Sequence, residues 1–518
     1  MTIANQPPQR EQHGDMLTAV DLFSGAGGFS EGLAQAGVKT LLAQELHPQP
    51  ALTHVFNHPG AVGLVGDIRK LRPELISSLL NKHHGCDAID LVVGGPPCQG
   101  FSSAGKKNKD DPRNTLFDNY CDIIAHLRPR ALVLENVPGF KKMYGGQMYN
   151  AAISRLKELG YQVTDRILNA VDYGVPQRRK RFVLVGVRAD LGLKFEWPEA
   201  THYNPEESFE ADLFCATRQR HVSVEDALSD IAFLEPGLEA HSHQTPARTQ
   251  YQDDRRTSPL LFNHLATKHR DKAVETFKLI GEGETINSVP AESKSAKKTM
   301  ARLNRQHISN TVLALPDDLI HYCQDRIPTV REMARLQSFD DDYVFIGKRT
   351  SGFVERKHDV PQYTQVGNAV PPLMARAIGK ALSAMLGKSA NDLRDRDERV
   401  RRLQWVHGTS GYSGYTLSRD AEAELVLYNV NGELLPLPID EMPTAVCQRQ
   451  ALEDWRESRH EAPRKQWAPG VSPAEYPEKQ KSLADNLNTA EKPTRSTKGN
   501  RKSSSTLADE FLAHHSAS

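Results

Sequence analysis

Short apolar runs and amphipathic runs alternate along the first part of the chain. TAVDLFSG is apolar, rich in β-formers and ends in glycine, which predicts a strand; FSEGLAQAG, directly behind it, has helical spacing. KTLLAQEL and PALTHVFNH repeat that pair, and AVGLVGDI, AIDLVVGG and ALVLENV predict three further short strands. TLFDNYCDIIAHL and MYNAAISRLKEL supply helices, and YQVTDRILNA and RFVLVGVR end the series as its last two strands. Alternation of this kind predicts an α/β fold, a parallel sheet with helices on both faces. In such sheets ligands sit at the carboxyl ends of the strands.

The pattern stops after about Arg188. Residues up to about Ile320 are polar, rich in histidine and loop-like, and predict a separate, smaller module. TVREMARLQSF and PPLMARAIGKALSAML then read as amphipathic helices. AELVLYNVNGELLPLP reads as a strand with a hairpin turn at VNGE, to which no function attaches. From about Arg456 the chain turns to Pro, Lys, Glu and Ser, too little apolar surface to offset chain entropy, and disorder is expected. No internal repeat is visible.

With 518 residues, 38% hydrophobic and 25% charged, the composition is that of a soluble globular protein of more than one domain. No apolar run is long enough to span a bilayer, and the polar start MTIANQPPQREQHGD lacks a signal region, so a cytoplasmic protein is expected. The six cysteines form no CxxC pair, which argues against a structural zinc site and a disulfide framework. Lys+Arg and Asp+Glu are both 65, so the whole chain carries no basic bias. Local clusters matter more to phosphate contact: Lys106, Lys107 and Lys109, the run Arg178 to Arg181, and Lys294 to Arg305. Each is also readable as a solvated face, the commoner case for any one of them taken singly.

Candidate chemistry gathers at the predicted strand ends. Gly25, Gly27 and Gly28, in DLFSGAGGFSEG, let the backbone approach a ligand, although a plain tight βα turn has the same composition. Glu45 ends the second strand, where a carboxylate accepts from ribose hydroxyls, and Asp67 ends the third, within reach of an adenine amino group. Together they suggest a nucleoside-bearing cofactor. Cys98 follows the fourth strand in GGPPCQGFSSAGKKNKD. A buried structural thiol is the commoner fate of a free cysteine. Here two prolines and a glycine make a loop, and the cations beyond favour the thiolate, the reactive form. Glu135, in ENV, ends the fifth strand and points at the same crevice. In QRRKR, strand alternation puts Gln177, Arg179 and Arg181 on one face.

Taken in order, DLFSGAGGFS, GGPPCQGFS, ENV, QRRKR, TVREMARLQSF and QVGNAVPP resemble the cytosine-C5 DNA methyltransferase family over roughly residues 17 to 386. The resemblance implies a Rossmann-like sheet that uses S-adenosyl-L-methionine, with a smaller target-recognition domain. Its implied divisions are a flexible N-terminus (1–16), the first part of the catalytic domain (17–189), a target-recognition domain (190–345) and the rest of the catalytic domain (346–388). An extension without assigned function (389–455) and a disordered tail (456–518) follow. By the same resemblance Cys98 is the nucleophile that adds to C6 of cytosine, Glu135 hydrogen-bonds or protonates N3, and Arg181 with Arg179 binds the base carbonyl. The cofactor would lie along Phe23, Ser24, Gly25, Gly27 and Gly28, with Glu45 and Leu46 at the ribose and Asp67 and Ile68 at the adenine. Pro96, Leu116, Asn368 and Val370 would complete the pocket. Gln99, Ser102, Lys106, Lys107 and Gln177 would contact double-stranded DNA around a flipped-out base. No metal is implied. A monomer associated with the nucleoid is expected, with a cognate restriction endonuclease as partner if the chain belongs to a restriction–modification system.

One departure stands out. The family usually has proline after the phenylalanine of TVREMARLQSF, and this chain has Asp340, for which only local consequences are expected. Two other readings compete. Relatives that methylate tRNA usually carry proline directly after the CQ dipeptide, where this chain has Gly100. A catalytically silent DNA-binding regulator is opposed by intact Cys98, Glu135 and Arg181.

Overall fold

A computed structural model describes residues 16–86, 88–97, 115–204, 218–258, 260–291, 299–350, 360–394, 403–407, 413–417 and 425–435. Cys98, Gln99, Ser102, Lys106 and Lys107 lie outside the described residues, as do the expected N-terminal and C-terminal tails.

Among the described residues, eight strands form the central sheet: β1 (Leu17–Leu22), β2 (Val38–Glu45), β3 (Val62–Val65), β4 (Leu91–Gly94), β5 (Ala131–Asn136), β6 (Tyr161–Asn169), β7 (Lys180–Arg188) and β8 (Val426–Asn429). Their order is β8-β3-β2-β1-β4-β5-β7-β6. Parallel pairing holds from β8 to β5, but β7 runs antiparallel to both β5 and β6. The sheet is therefore mixed and not wholly parallel as expected. Residues 170–179 between β6 and β7 hold one turn of 3₁₀ helix (Ala170–Tyr173) and are too short for a crossover helix, so the chain turns back.

Helices α1 (Gly28–Ala34), α2 (Pro48–Asn57), α3 (Pro73–His84), α4 (Thr115–Leu127) and α5 (Gln147–Glu158) link the strands, and α6 (Val330–Leu336), α7 (Gln362–Asn368) and α8 (Pro372–Met385) follow the smaller module. Strand alternation divides the core between the two faces. Leu91 and Val93 of β4, with Val133 of β5, join Leu33 of α1 and Ile378 of α8; Val92 and Leu134 join Leu80 of α3 and Ile124 of α4. α8 returns to lie against α1, where a Cβ on Gly32 would stand 2.4 Å from Ala375 Cβ. No helix among the described residues is long and apolar enough to cross a membrane.

The smaller module is not separated from this core. Its Val224, Leu228, Ile231 and Phe277 belong to the same apolar cluster as Leu17, Val133 and Ile378. The residue pattern predicts an amphipathic α6, yet every one of its residues is buried. Its charges are matched from within: Arg335 pairs with Asp230 at 3.1 Å and with Asp341 at 2.5 Å, and Arg331 donates to the carbonyls of Phe262, Asp340 and Tyr343. A capping box between Thr329 and Glu332 starts the helix. Beyond it Tyr343 OH donates to Ala26 O, and Asn57 of α2 is bonded in both directions to the backbone of Val344. The expected domain boundary at 345/346 thus falls within one continuous packing unit.

Asp340 also departs from expectation. Its side chain is fully buried and pairs with Arg255 at 3.1 Å and with Arg394, a residue of the C-terminal extension. The aspartate connects segments far apart in sequence, which a local turn former would not do.

Candidate active site

β4 and β5 are neighbours, with Gly94 paired to Leu134, so the chain leaving β4 passes directly beside the end of β5. Glu135 and Asn136 close β5. Asn136 Nδ2 donates to Pro96 O at 3.0 Å and holds the Pro96–Pro97 segment, which precedes Cys98 in sequence. Gly95 lies opposite Glu135: a Cβ there would come within 3.1 Å of Glu135 Oε2. Arg181 Nε donates to Glu135 Oε1 at 2.8 Å. Burial raises the Glu135 carboxyl above its ordinary range, while Arg181 and Arg179 pull it back. The result is a carboxyl group able to hold a proton beside a fixed cation.

Arg179 and Gln177 do not join that pair at the crevice. Arg179 Nη1 donates to Val312 O at 2.9 Å, and Nη2 donates to Gly367 O at 2.8 Å and Ala369 O at 3.2 Å. Gln177, expected at DNA, is wholly buried; its amide donates to Leu336 O and Gln337 Oε1 and accepts from Val312 N. The strand starts only at Lys180, so face alternation does not extend back to these two residues. Arg179 instead holds the carbonyls on either side of Asn368, the exposed last residue of α7.

The ends of β1, β2 and β3 form the second half of the site. Phe23 adopts φ 56 and Gly25 φ 53, turning the chain sharply out of β1. Gln44 accepts from Phe23 N at 3.5 Å and donates to Gly66 O at 2.7 Å, tying the three strand ends together. Glu45 accepts from Gly25 N at 3.0 Å and His47 N at 3.1 Å; desolvation of the carboxylate raises it above its ordinary range against these donors. Leu46 is 53% exposed beside it, and Ile68 is buried. Asp67 is engaged by Arg69, which holds its carboxyl below the ordinary range. Pro96 and Leu116 line one small pocket with Phe117, Asn136 and Phe140.

Of the three glycines expected to admit a ligand, only Gly25 faces open space. A Cβ on Gly28 would stand 2.4 Å from Val370 O, and one on Gly27 would meet Tyr343 OH at 2.7 Å and His54 at 2.8 Å. These two serve internal packing. Under the loop lies a buried polar network that the residue pattern did not reveal. Ser30 Oγ donates to Asp21 Oδ2 at 2.7 Å, accepts from Thr40 Oγ1 at 2.9 Å and meets His54 Nε2 at 3.0 Å. Asp21 and Ser30 flank the three glycines in sequence, and that is the signal by which they could be found; His54 sits on α2 with no mark of its own.

A mostly parallel α/β sheet with one reversed strand, bearing Glu45 and Glu135 at strand ends, is the layout of an α/β enzyme that binds its ligand at the carboxyl ends of the strands. The chain matches C-5 cytosine-specific DNA methylases over residues 17–384. It is 32% identical over 407 residues to Type II methyltransferase M.DdeI of Desulfomicrobium norvegicum, covering 75% of this chain and 93% of the relative. It is 33% identical over 375 residues to Type II methyltransferase M1.HphI of Haemophilus parahaemolyticus, covering 71% and 87%. Among solved structures, it superposes on a protein described as a DNA modification methyltransferase encoded within an Escherichia coli prophage. That match has a TM-score of 0.57 at 25% identity, with 72% of this chain and 100% of the other covered. The chain belongs to the C-5 cytosine-specific DNA methylase family and is a DNA (cytosine-5)-methyltransferase.

The family implies S-adenosylmethionine as methyl donor, and the strand ends fit such a ligand. Ser24 Oγ is buried with no partner among the described residues, and the space beside Gly25 is open. Glu45 presents a carboxylate with an apolar, exposed Leu46 next to it.

Proposed function

We propose that the enzyme methylates C5 of a cytosine turned out of double-stranded DNA, through a transient bond from Cys98 Sγ to C6. Cytosine C5 is a poor nucleophile. Addition of the Cys98 thiolate to C6 moves an electron pair into the ring and makes C5 enamine-like. Glu135 donates a hydrogen bond or a proton to N3, where the charge develops, and Arg181 binds the base carbonyl while holding Glu135. Bound S-adenosylmethionine supplies the electrophilic methyl group that C5 takes up. Loss of the C5 proton then returns electrons to the ring and breaks the Sγ–C6 bond, releasing 5-methylcytosine and the thiolate.

Phe23, Ser24, Gly25, Glu45, Leu46, Asp67, Ile68, Pro96, Leu116, Asn368 and Val370 would hold the donor. Gln99, Ser102, Lys106 and Lys107, close behind Cys98 in sequence, would meet the DNA. The observation that carries the reading is the tie between β5 and the cysteine loop: Asn136 bonds Pro96 O while its neighbour Glu135 bonds Arg181. The named relatives are Type II methyltransferases, and we place this enzyme likewise in restriction–modification, beside an endonuclease that reads the same sequence.

DNA bearing 5-fluorocytosine at the target tests the covalent step, because fluorine cannot leave C5 as a proton does. The expected result is a denaturation-stable protein–DNA adduct that Cys98→Ala abolishes. An active preparation that forms no adduct would refute the assignment of Cys98. Base-resolution mapping of 5-methylcytosine in cells expressing this chain alone returns the target sequence.

A further inference from the structure

Residues beyond the family match are built into the catalytic domain at two points. The first lies behind α1. Leu393 N donates to Ala34 O at 2.9 Å, at the end of that helix. Arg394 then turns inward, its side chain 4% exposed, and pairs with Asp340 and, at 3.4 Å, with Glu31 of α1. Both carboxylates are wholly buried, and the guanidinium reaches Asp392 on its outer side at 2.6 Å. Arg394 thus adds a second guanidinium to Asp340, beside that of Arg255, and ties it to Glu31 of α1. α1 begins directly after Gly25–Gly27, so whatever holds its far end also steadies the loop.

The second point is the outer edge of the sheet. β8 pairs in parallel with β3 from Val426 opposite Val62 to Asn429 opposite Val65. A tight turn follows, Gly432 N donating to Asn429 O at 2.9 Å, and the chain folds back through Leu435 N to Leu427 O at 2.8 Å. Leu427 is buried against α2, and Tyr428 OH accepts from Lys82 Nζ of α3 at 2.9 Å. Val430 extends past the pairing: its Cγ1 lies 2.9 Å from where a Cβ on Gly66 would stand. Gly66 immediately precedes Asp67 and Ile68, and it is tied on its other side to Glu45 O and Gln44.

We propose that the C-terminal segment is a clasp for the cofactor-binding loops, in which Arg394 steadies the glycine loop through α1 and Val430 backs the Gly66–Ile68 turn. Both are positioning residues. The inference rests on the assignment of Asp67 and Ile68 to the adenosine part of S-adenosylmethionine.

The test uses the full chain, with S-adenosylmethionine affinity measured by titration calorimetry and KM and kcat measured separately for cofactor and DNA. Val430→Ala is expected to weaken cofactor affinity about fivefold and to raise the cofactor KM to match. Its kcat at saturation and its DNA KM should stay within about twofold, a split that general loosening of the fold would not produce. Arg394→Met should weaken affinity further and Arg394→Lys restore it in part; if Arg394→Met does not fold, Val430→Ala still decides. Asp67→Ala is the control. Weaker binding in both Asp67→Ala and Val430→Ala supports the clasp. Weaker binding in Asp67→Ala with Val430→Ala at wild-type affinity overturns the clasp alone. Wild-type affinity in Asp67→Ala overturns the adenosine assignment, and the clasp with it.

Discussion

Arg181 Nε lies 2.8 Å from Glu135 Oε1, joining the start of β7 to the end of β5. The antiparallel register makes this possible: Asn136 faces Phe182, so the residues flanking that pair meet diagonally. Burial favours the protonated carboxyl, Arg181 and Arg179 favour the anion, and burial prevails, so Glu135 lies above its ordinary range. Glu135→Gln keeps the size and a donor but cannot titrate. It should lower kcat by about 10²-fold or more while binding DNA at near wild-type affinity, measured by single-turnover methyl transfer and by gel shift. Arg181→Lys keeps a charge but loses the planar guanidinium, and should fall between Glu135→Gln and wild type.

Arg179 differs from Arg181 despite the repeated motif. Its donors satisfy the carbonyls of Val312, Gly367 and Ala369 in a closed interior. Arg179→Met leaves these acceptors unpaired and should cost about 3 kcal/mol of stability, read as a lower urea midpoint. Arg181→Met removes one partner of a largely buried pair, but Glu135, already raised by burial, can take up a proton in its place, so the loss should be smaller than for Arg179→Met and be felt mainly in kcat. Equal stability losses would contradict the division of roles.

What depends on short-range periodicity is legible in the sequence. Strand ends are visible because β-formers stop at glycine or an acid, and so Glu45, Asp67 and Glu135 can be placed at strand ends from the residue pattern alone. QRRKR misleads because period-two alternation does not hold in a loop: Gln177 and Arg179 precede the first residue of β7. Asp340 and Arg394 cannot be paired from sequence, since an ion pair between distant segments leaves no local pattern. The same holds for β8, whose hairpin is legible but whose partner strand β3 is not. The charged residues make α6 look amphipathic in sequence although it is wholly buried, because the partners of its arginines, Asp230 among them, come from another part of the chain.

Two neighbouring glycines should respond differently to alanine. At Gly28 a Cβ would stand 2.4 Å from Val370 O, a backbone atom that cannot move without shifting the Asn368 segment. Gly28→Ala should therefore lower the melting temperature by more than about 5 °C and weaken S-adenosylmethionine binding. At Gly25 a Cβ meets nothing within 4 Å, but φ is +53. Gly25→Ala should cost only about 1 kcal/mol, the penalty for left-handed backbone on an L-residue. Differential scanning fluorimetry with and without cofactor separates the two.

Asp21 gives the protein a pH dependence with a definite sign. Its carboxyl is buried under the glycine loop, where desolvation pushes it up to about 7; the Ser30 hydroxyl opposes this and Glu45 adds to it. His54, 3.8 Å away, is itself held well below its ordinary range by burial, so it brings no proton to stabilise the anion. In the unfolded chain the same carboxyl titrates near the model-peptide value of about 3.9. Between about pH 4 and 7 the folded state therefore binds more protons than the unfolded state. The contribution of Asp21 is fully present at the acid end of that window and is lost as pH rises through about 7, with no further change above it. Asp21→Asn can still accept from Ser30 but cannot ionise, so the fall in melting temperature between pH 5 and 7.5 should shrink relative to wild type. Glu45 and Glu135 are raised in the same direction, so part of the slope should survive in the variant. An unchanged slope in Asp21→Asn would mean that Asp21 is already ionised throughout that range, and the network with Ser30, Thr40 and His54 would then need a different proton arrangement.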